Sequence, residues 1–170
     1  MNLDKLYKMQ EELDNHILEN YFKRTGKRRD KDELLEDTKL ALIVEVSELA
    51  NTTRCFKKWS TKGMMEKEII LEELADAWHF YLSIGNQTMT RFNYKLSRYM
   101  TSNFRRKLDE KDLTKQFNEF CKGVANEQQW AGIGVYLINI ADILNFSDKE
   151  VEQAYLKKHE ENYRRQAEGY

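Results

Sequence analysis

The stretches Ala41-Leu42-Ile43-Val44-Glu45-Val46-Ser47-Glu48-Leu49-Ala50 and Ile70-Leu71-Glu72-Glu73-Leu74-Ala75-Asp76-Ala77-Trp78-His79 combine acidic and apolar residues in a helical pattern. Each carries an acidic pair three residues apart, Glu45 with Glu48 and Glu73 with Asp76. Residues at this spacing lie on one face of a helix. The sequence therefore predicts two helices that each present two carboxylates beside an apolar stripe.

These carboxylates are candidate metal ligands. A carboxylate among apolar residues is costly unless its charge is offset, and several together raise one another's pKa. Mg²⁺ removes both problems, because it prefers carboxylate oxygens together with substrate phosphate. Packed antiparallel, the two helices would hold Mg²⁺, and Glu72 is an alternative ligand. Acidic pairs are also common on solvated helix faces, so both interpretations stay open.

The composition is typical of a single all-α domain. A chain of 170 residues, of which 41% are hydrophobic and 34% charged, is long enough for a substantial core. Proline is absent and there are only 7 glycines, so long helices can run without interruption. We predict an all-α bundle of six to seven helices in one domain, residues 1–170.

Charge and cysteine usage bound the function classes. The formal net charge is -1, so no global field favours nucleic acid or a membrane, and we expect neither as a direct partner. Cys55 and Cys121 form no metal or redox motif and indicate a reducing compartment. The first residues lack the apolar stretch of a signal peptide, and no apolar run is long enough to span a bilayer. We therefore expect a cytoplasmic protein.

Apolar periodicity and capping signals predict the helices. They cover about 2–22, 30–54, 64–85, 87–100, 112–122 and 127–144, and a last helix starts at the capping box of Ser147 and Glu150. The third is apolar around most of its circumference, which predicts a central position, and Gly85 is expected to end it. The apolar helix 127–144 is expected to form a dimer interface through Trp130 and Ile133.

Residues 86–125 differ from the rest of the chain. They are rich in Asn, Thr, Ser, Arg and Lys with scattered aromatic residues. We interpret them as a section inserted into the bundle. A lid, a dimer arm and a partner-binding surface are all open as its role.

Two further places carry polar residues that suit a ligand. Gln10 and Asp14 lie four apart beside the apolar stripe of the first helix, where they could equally be ordinary surface. The connector 54–63 mixes basic and aromatic residues, including Lys57 and Trp59. An aromatic ring can stack on a nucleobase while a lysine meets its phosphates. A tryptophan that plugs the core between helices is the alternative.

The last helix carries a cationic face. Tyr155, Lys158, Asn162 and Arg165 follow helical spacing and share that face, which a solvated helix end would also explain. His79 stands alone in its helix. A lone histidine there is more often a hydrogen-bonded core residue than a ligand.

Taken together, these motifs resemble those of a known family. The patterns are E-x-x-E (Glu45, Glu48), F-K-x-W-S (Phe56-Lys57-Lys58-Trp59-Ser60), E-x-x-D-x-x-H-F (Glu73, Asp76, His79, Phe80) and A-Y-x-x-K-x-x-x-N-x-x-R-Q (Ala154, Tyr155, Lys158, Asn162, Arg165, Gln166). Their order is similar to that of the all-α dimeric dUTPases, which belong with the MazG-like nucleotide pyrophosphohydrolases, in a compact form resembling those of bacteriophages. His159 departs from the family, which usually has Asn there. Asp14 departs as well, because the family often reads the base with Gln and Asn from this helix.

The resemblance implies a reaction and a role for each residue. The reaction is hydrolysis of dUTP to dUMP and pyrophosphate with two or more Mg²⁺ ions, which keeps uracil out of DNA. The implied metal ligands are Glu45, Glu48, Glu73 and Asp76, with Glu45 also the catalytic base. Triphosphate would bind Lys57, Lys158, Asn162 and Arg165, and the base and sugar would bind Gln10, Asp14, Trp59 and Tyr155.

Two other functions stay open from the residues. One is a MazG-type pyrophosphohydrolase that acts on another nucleotide, such as dCTP. The other is a helical interaction protein without enzymatic activity, in which the carboxylates only solvate a bundle. The resemblance also implies a homodimer and a possible second role in binding a repressor protein, for which residues 86–125 are the expected surface.

Overall fold

Seven α-helices account for most of residues 1–104, 108–126 and 130–169, the part of the chain that this computed structural model describes. They are α1 (Leu3–Thr25), α2 (Lys31–Thr53), α3 (Lys67–Gln87), α4 (Tyr94–Phe104), α5 (Leu113–Asn126), α6 (Trp130–Ile143) and α7 (Asp148–Ala167). A single 3₁₀ turn, Glu110–Asp112, precedes α5. The described residues contain no strand, so the all-α prediction is confirmed.

Side chains at the helix starts set where several helices begin. The Asp30 carboxylate accepts from the backbone N–H groups of Asp32 and Glu33, at 2.9 and 3.1 Å, and α2 begins there. Ser147 and Glu150 form the predicted capping box at the start of α7. The helix predicted from residue 87 begins only at α4, because Asn93 Oδ1 accepts from Leu96 N–H at 3.0 Å.

The third helix is central, as its all-round apolar pattern predicts. It packs against α1, α2, α6 and α7. Its buried side chains include Leu74, Trp78, Tyr81 and Leu82, each no more than 1% exposed. Burying apolar surface around most of α3 stabilises the bundle and fixes α3 relative to the helices around it.

Gly85 does not end the third helix, and that prediction is wrong. The helix continues to Gln87. A Cβ atom at Gly85 would lie 2.7 Å from Tyr7 Cε1 and 2.9 Å from the Thr90 carbonyl oxygen. The glycine is needed for this close approach of α1 and the following turn, not as a helix stop.

The predicted dimer surface on α6 is also wrong. Trp130 and Ile133 are 7% and 4% exposed, and both belong to the core of the single chain. A Cβ atom at Gly134 would lie 2.6 Å from the Tyr81 hydroxyl oxygen, so this glycine allows α3 of the same chain to pack closely against α6. The start of the helix predicted over 127–144 lies at residues 127–129, outside the described residues.

Residues 86–125 divide into two parts. The first contains α4, which exposes Leu96, Tyr99 and Met100. The second contains α5, whose Leu113 and Phe120 are fully buried in the core. The second part is therefore packed as core. Within the described part of the chain, no helix combines the length and the apolar character that crossing a bilayer requires.

Candidate active site

A cavity of about 520 Å³ lies between α1, α2, α3 and α7. Each of these helices contributes polar side chains to its wall. The lining residues are Gln10, Glu11, Leu13, Asp14, Asn15, Ile17 and Leu18 from α1; Leu34, Thr38 and Glu45 from α2; Asp76, His79, Phe80, Ser83, Asn86 and Gln87 from α3; and Lys158, Asn162, Arg165 and Gln166 from α7. A concave site with a few convergent polar groups is typical of a small-molecule site.

Three carboxylates meet at one end of this cavity. One oxygen from each of Glu45, Glu73 and Asp76 lies within 4.8 Å of the others, and we call these residues the acidic cluster. They come from the two helices whose acidic pairs the sequence singles out. Glu48, the fourth predicted ligand, is exposed one turn further along α2.

Electrostatics within the acidic cluster are unfavourable. Burial, together with the charges of Asp76, Glu48 and Glu73, raises the pKa of Glu45 to about 7. Burial also raises the pKa of Glu73 and of Asp76. The cluster therefore has more negative charge than its protein surroundings stabilise.

Lys158 is the cation that partly offsets this charge. Its Nζ atom lies 2.8 Å from Asp76 Oδ2 and 3.0 Å from Glu72 Oε1. The bond from Lys158 lowers the pKa of Glu72, which is exposed. Burial raises the pKa of Asp76 by more than the same lysine lowers it. Glu72 thus pairs with a cation, whereas the acidic cluster keeps an excess of negative charge.

The arrangement fits a divalent cation. Clustered carboxylates of raised pKa offer the hard oxygen donors that Mg²⁺ prefers, and the adjoining cavity has room for the phosphates that usually complete its coordination. Glu45, Glu73 and Asp76 could hold such an ion. Glu48 is near enough to raise the pKa of both Glu45 and Glu73.

A chain of hydrogen bonds lies deeper along the cavity. Gln10 Nε2 donates to Asp14 Oδ1 at 2.7 Å, and Gln10 Oε1 lies 2.7 Å from His79 Nδ1. The Tyr155 hydroxyl donates to the same Gln10 oxygen at 2.9 Å. Burial raises the pKa of Asp14 to about 6, partly offset by Ser83 and Gln10. The prediction that His79 is a hydrogen-bonded core residue is confirmed.

Sequence reasoning missed the polar residues beyond Asp14. Gln87 Nε2 donates to Thr38 Oγ1 at 3.0 Å and to Ser83 Oγ at 3.2 Å, and all three line the cavity. A signal for two of them was present. Residues 76, 80, 83 and 87 follow helical spacing, so the face that carries Asp76 continues through Phe80 to Ser83 and Gln87.

Three predicted ligand-binding residues lie off the cavity wall. Trp59 is 78% exposed, so it does not plug the core, and neither it nor Lys57 lines the cavity. Lys57 Nζ instead donates to Asn51 Oδ1. Tyr155 is fully buried behind Gln10. The other predicted residues of the cationic face, Lys158, Asn162 and Arg165, do line the cavity.

Comparison with known families identifies the chain. Residues 2–170 match the family described as dUTPase, so the match includes the acidic cluster, the cavity and the cationic face of α7. A search of curated proteins finds no match. The match confirms the resemblance seen in the motifs and supports an enzyme over an interaction protein without activity. The chain therefore belongs to the dUTPase family, as an all-α enzyme that hydrolyses dUTP.

Proposed function

We propose that this dUTPase is a Mg²⁺-dependent enzyme that converts dUTP to dUMP and pyrophosphate in the cavity between α1, α2, α3 and α7. The observation that carries the proposal is the pairing of a charged end with a polar end in one cavity. Asp76 and Ser83 mark these ends and lie seven residues apart on α3, which is roughly 10 Å along the helix axis. A nucleotide can extend from one to the other.

The acidic cluster is the proposed metal site, together with Glu48 from the next turn of α2. Bound Mg²⁺ would neutralise phosphate charge and activate the attacking water, which is most of what phosphoryl transfer needs. Two or more ions are proposed, because Glu48 extends the carboxylates beyond the three that converge.

Glu45 is the proposed catalytic base. Burial and its carboxylate neighbours raise its pKa to about 7 among the protein's own groups. A general base is most effective when its pKa lies near the working pH. Glu45 also lines the cavity, within reach of a water molecule at the phosphate end.

The cationic face of α7 is the proposed triphosphate site. Lys158 and Arg165 supply positive charge, and Asn162 supplies an amide donor between them. Lys158 already contacts Asp76, so a phosphate beside the acidic cluster would meet its ammonium group. Lys57 is proposed to assist from the connector, which requires the connector to move towards the cavity.

Gln10 and Asp14 are proposed to bind the uracil edge, and Trp59 to cover the base when the connector closes. Support comes from the position of the two α1 residues in the cavity wall and from the buried Asp14 Oδ2, for which the described residues supply no hydrogen bond of normal geometry, although Ser83 is near enough to lower the pKa of Asp14. Buried polar atoms are usually paired, so a ligand donor is expected there. Tyr155 is proposed to contribute to base binding indirectly, through its hydrogen bond to Gln10.

The test is pyrophosphate release from a panel of dNTPs, with Mg²⁺ and with EDTA. Strong preference for dUTP, abolished by EDTA and by Asp76→Asn, is expected. Asp142→Asn is the matched control, because Asp142 lies on α6 away from the cavity. Preference for another nucleotide, such as dCTP, would be consistent with the proposed metal site but would contradict the proposed uracil-binding residues.

A homodimer is proposed through α2 in place of the α6 surface. Leu40 and Val44 are 63% and 45% exposed and lie four residues apart, so they form one apolar strip on that helix. Light scattering at micromolar concentration should show a dimer. Leu40→Glu combined with Val44→Glu should give a monomer, and a wild-type monomer would contradict the proposal.

The repressor-binding role stays a prediction, with the exposed residues of α4 as its surface. Because α5 carries core residues, substitution tests it better than deletion of the section. Tyr99→Glu and Leu96→Glu should prevent capture of a repressor without loss of dUTP hydrolysis. A bacteriophage origin and a location in the host cytoplasm also stay predictions.

A further inference from the structure

The orientation of the Gln10 amide is set by three neighbouring side chains, those of Asp14, His79 and Tyr155. Its oxygen lies 2.7 Å from His79 Nδ1 and 2.9 Å from the Tyr155 hydroxyl, and its nitrogen lies 2.7 Å from Asp14 Oδ1. The side chains of His79 and Tyr155 lie 69 and 145 residues away along the chain. The fold brings all three contacts to one amide.

Only one orientation of this amide satisfies its neighbours when Asp14 is ionised. A carboxylate can only accept hydrogen bonds, so the Gln10 nitrogen must face Asp14. The oxygen then faces two donors, the Tyr155 hydroxyl and the His79 ring. Burial lowers the pKa of His79 to about 3, so the ring is neutral and carries one proton. We assign that proton to Nδ1, because Nδ1 lies 2.7 Å from the Gln10 oxygen whereas Nε2 lies 3.3 Å from the Tyr155 carbonyl oxygen.

The two donors are held firmly. The His79 and Tyr155 rings stack with centroids 3.9 Å apart and an interplanar angle of 10°. Tyr155 is fully buried and His79 is 4% exposed. A reversed amide would place its oxygen against the Asp14 carboxylate, where no hydrogen bond can form, and would require the His79 ring to change tautomer.

The resulting pattern matches one base edge. Gln10 keeps a second N–H beyond the one used by Asp14, and Asp14 Oδ2 has no hydrogen bond of normal geometry among the described residues, although Ser83 is near enough to lower the pKa of Asp14. Side by side they offer a donor and an acceptor. Uracil presents a carbonyl oxygen and N3–H, which fit. Cytosine held in the same position presents its amino group to the Gln10 N–H and its unprotonated N3 to the Asp14 oxygen, and neither contact can form a hydrogen bond.

We propose that His79 and Tyr155 are positioning residues for base selection, which hold the Gln10 nitrogen toward the cavity and thereby favour uracil over cytosine. The inference rests on the proposed contact of Gln10 and Asp14 with the base. Neither positioning residue needs to touch the substrate. Thymine shares the uracil edge, so this device acts against cytosine alone.

The experiment compares kcat/KM for dUTP, dCTP and dTTP in matched variants. His79→Leu removes the Nδ1 donor, and His79→Asn restores an N–H on the atom bonded to Cγ. His159→Leu is the control: it makes the same change in a ring that stacks on His79 at 5.9 Å and whose Nδ1 has no described hydrogen-bond partner. Tyr155→Phe removes the second donor alone, and it decides the question if His79→Leu does not fold.

The expected result is selective. His79→Leu should lower the dUTP to dCTP ratio by about tenfold, the size expected for one buried hydrogen bond, mainly through KM for dUTP. The dUTP to dTTP ratio should stay unchanged, because both bases present the same edge. His79→Asn should restore most of the preference, Tyr155→Phe should lower it by less, and His159→Leu should leave it as in the wild type.

Two results would overturn the inference. One is an equal loss on all three nucleotides in His79→Leu and Tyr155→Phe, which indicates general loosening. The other is an unchanged dUTP to dCTP ratio in both variants while the wild type prefers dUTP, which leaves the base assignment standing. A wild type that hydrolyses dUTP and dCTP equally would remove the base assignment and this inference together.

Discussion

Two groups of carboxylates in this dUTPase have opposite electrostatics. The first group, which we call the arginine cluster, consists of Asp142 and Asp148 around Arg98, with Tyr94 beside them. Arg98 Nη1 lies 2.7 Å from Asp142 Oδ2, and Arg98 Nε lies 3.0 Å from Asp148 Oδ1 and 3.2 Å from the Tyr94 hydroxyl. Burial would raise the pKa of Asp148, but Arg98 and Tyr94 lower it overall. In the acidic cluster, burial and mutual repulsion raise the pKa of Glu45, Glu73 and Asp76.

The difference separates a structural role from a functional one. The arginine cluster joins α4 to α6 and α7, and its carboxylates have their cation within the chain. The acidic cluster has one lysine, which it shares with Glu72. Charge that the protein leaves in excess is removed by protonation or offset by a bound cation, so raised pKa values at a cavity mark a candidate functional site.

The largest expected effect follows from removing one charge of the acidic cluster. Glu45→Gln should lower kcat/KM for dUTP by about 10²–10⁴-fold, because Glu45 is both the proposed base and a proposed metal ligand. Glu36→Gln is the control on the same helix, where the side chain is 70% exposed and pairs with Lys39. Steady-state kinetics at saturating Mg²⁺ measures both. Activity of Glu45→Gln within a few-fold of wild type would contradict the assignment.

The second effect is stabilisation by Mg²⁺. Mg²⁺ at 100 times its Kd should stabilise the fold by about 2.7 kcal/mol, which corresponds to roughly 5–10 °C in a domain of this size. Asp76→Asn should reduce this shift. Asp142→Asn should leave it unchanged, because the carboxylates of the arginine cluster are already paired with a cation of the chain. Thermal unfolding with Mg²⁺ and with EDTA measures the shift. An equal loss in both variants would remove the distinction between the two clusters.

Whether a contact could be predicted from the sequence depends on how far apart its two residues lie along the chain. The acidic pairs were predictable because both partners of a pair lie within one helical turn, and the capping box of α7 was local in the same way. The apolar and polar faces of the helices could be predicted, but the neighbour against which each face packs could not. The apolar pattern around Trp130 and Ile133 fits a dimer interface as well as a core, and only the fold shows the core.

The inner end of the cavity was least predictable. His79 and Tyr155 reach Gln10 across 69 and 145 residues, and no local pattern encodes such contacts. Gly85 had two physical uses, a helix stop or a close approach, and the sequence does not distinguish them. The alternative in which Trp59 plugs the core is wrong, because its ring is exposed beside Phe56, while its contact with the base stays a prediction.

A third, smaller effect is expected at the arginine cluster. Arg98→Ala should destabilise the fold by about 1–2 kcal/mol, because Asp142 and Asp148 lose Arg98 while keeping contact with water. Asp148 keeps the N-terminal amino group of Met1 as a cation. The KM for dUTP should stay within about twofold, since Arg98 does not line the cavity. Denaturant unfolding and steady-state kinetics test the two halves of this prediction. A large rise in KM would connect α4 to the active site.

The smallest effect is a pH dependence of opposite sign in the two clusters. The folded pKa of Glu45, about 7, exceeds its unfolded value of 4.5, so the folded state keeps a proton that the unfolded state has lost. Stability measured in EDTA should therefore fall as pH rises from 4.5 to 7. Asp148, with a lowered pKa, contributes stability at neutral pH that is lost as pH falls through its folded pKa. Because Glu45 is only partly buried, its contribution should be roughly 2 °C in melting temperature. Glu45→Gln should reduce the slope of stability against pH, and Arg98→Ala should not. Equal slopes in Glu45→Gln and the wild type would show that the acidic cluster is better stabilised than its geometry indicates.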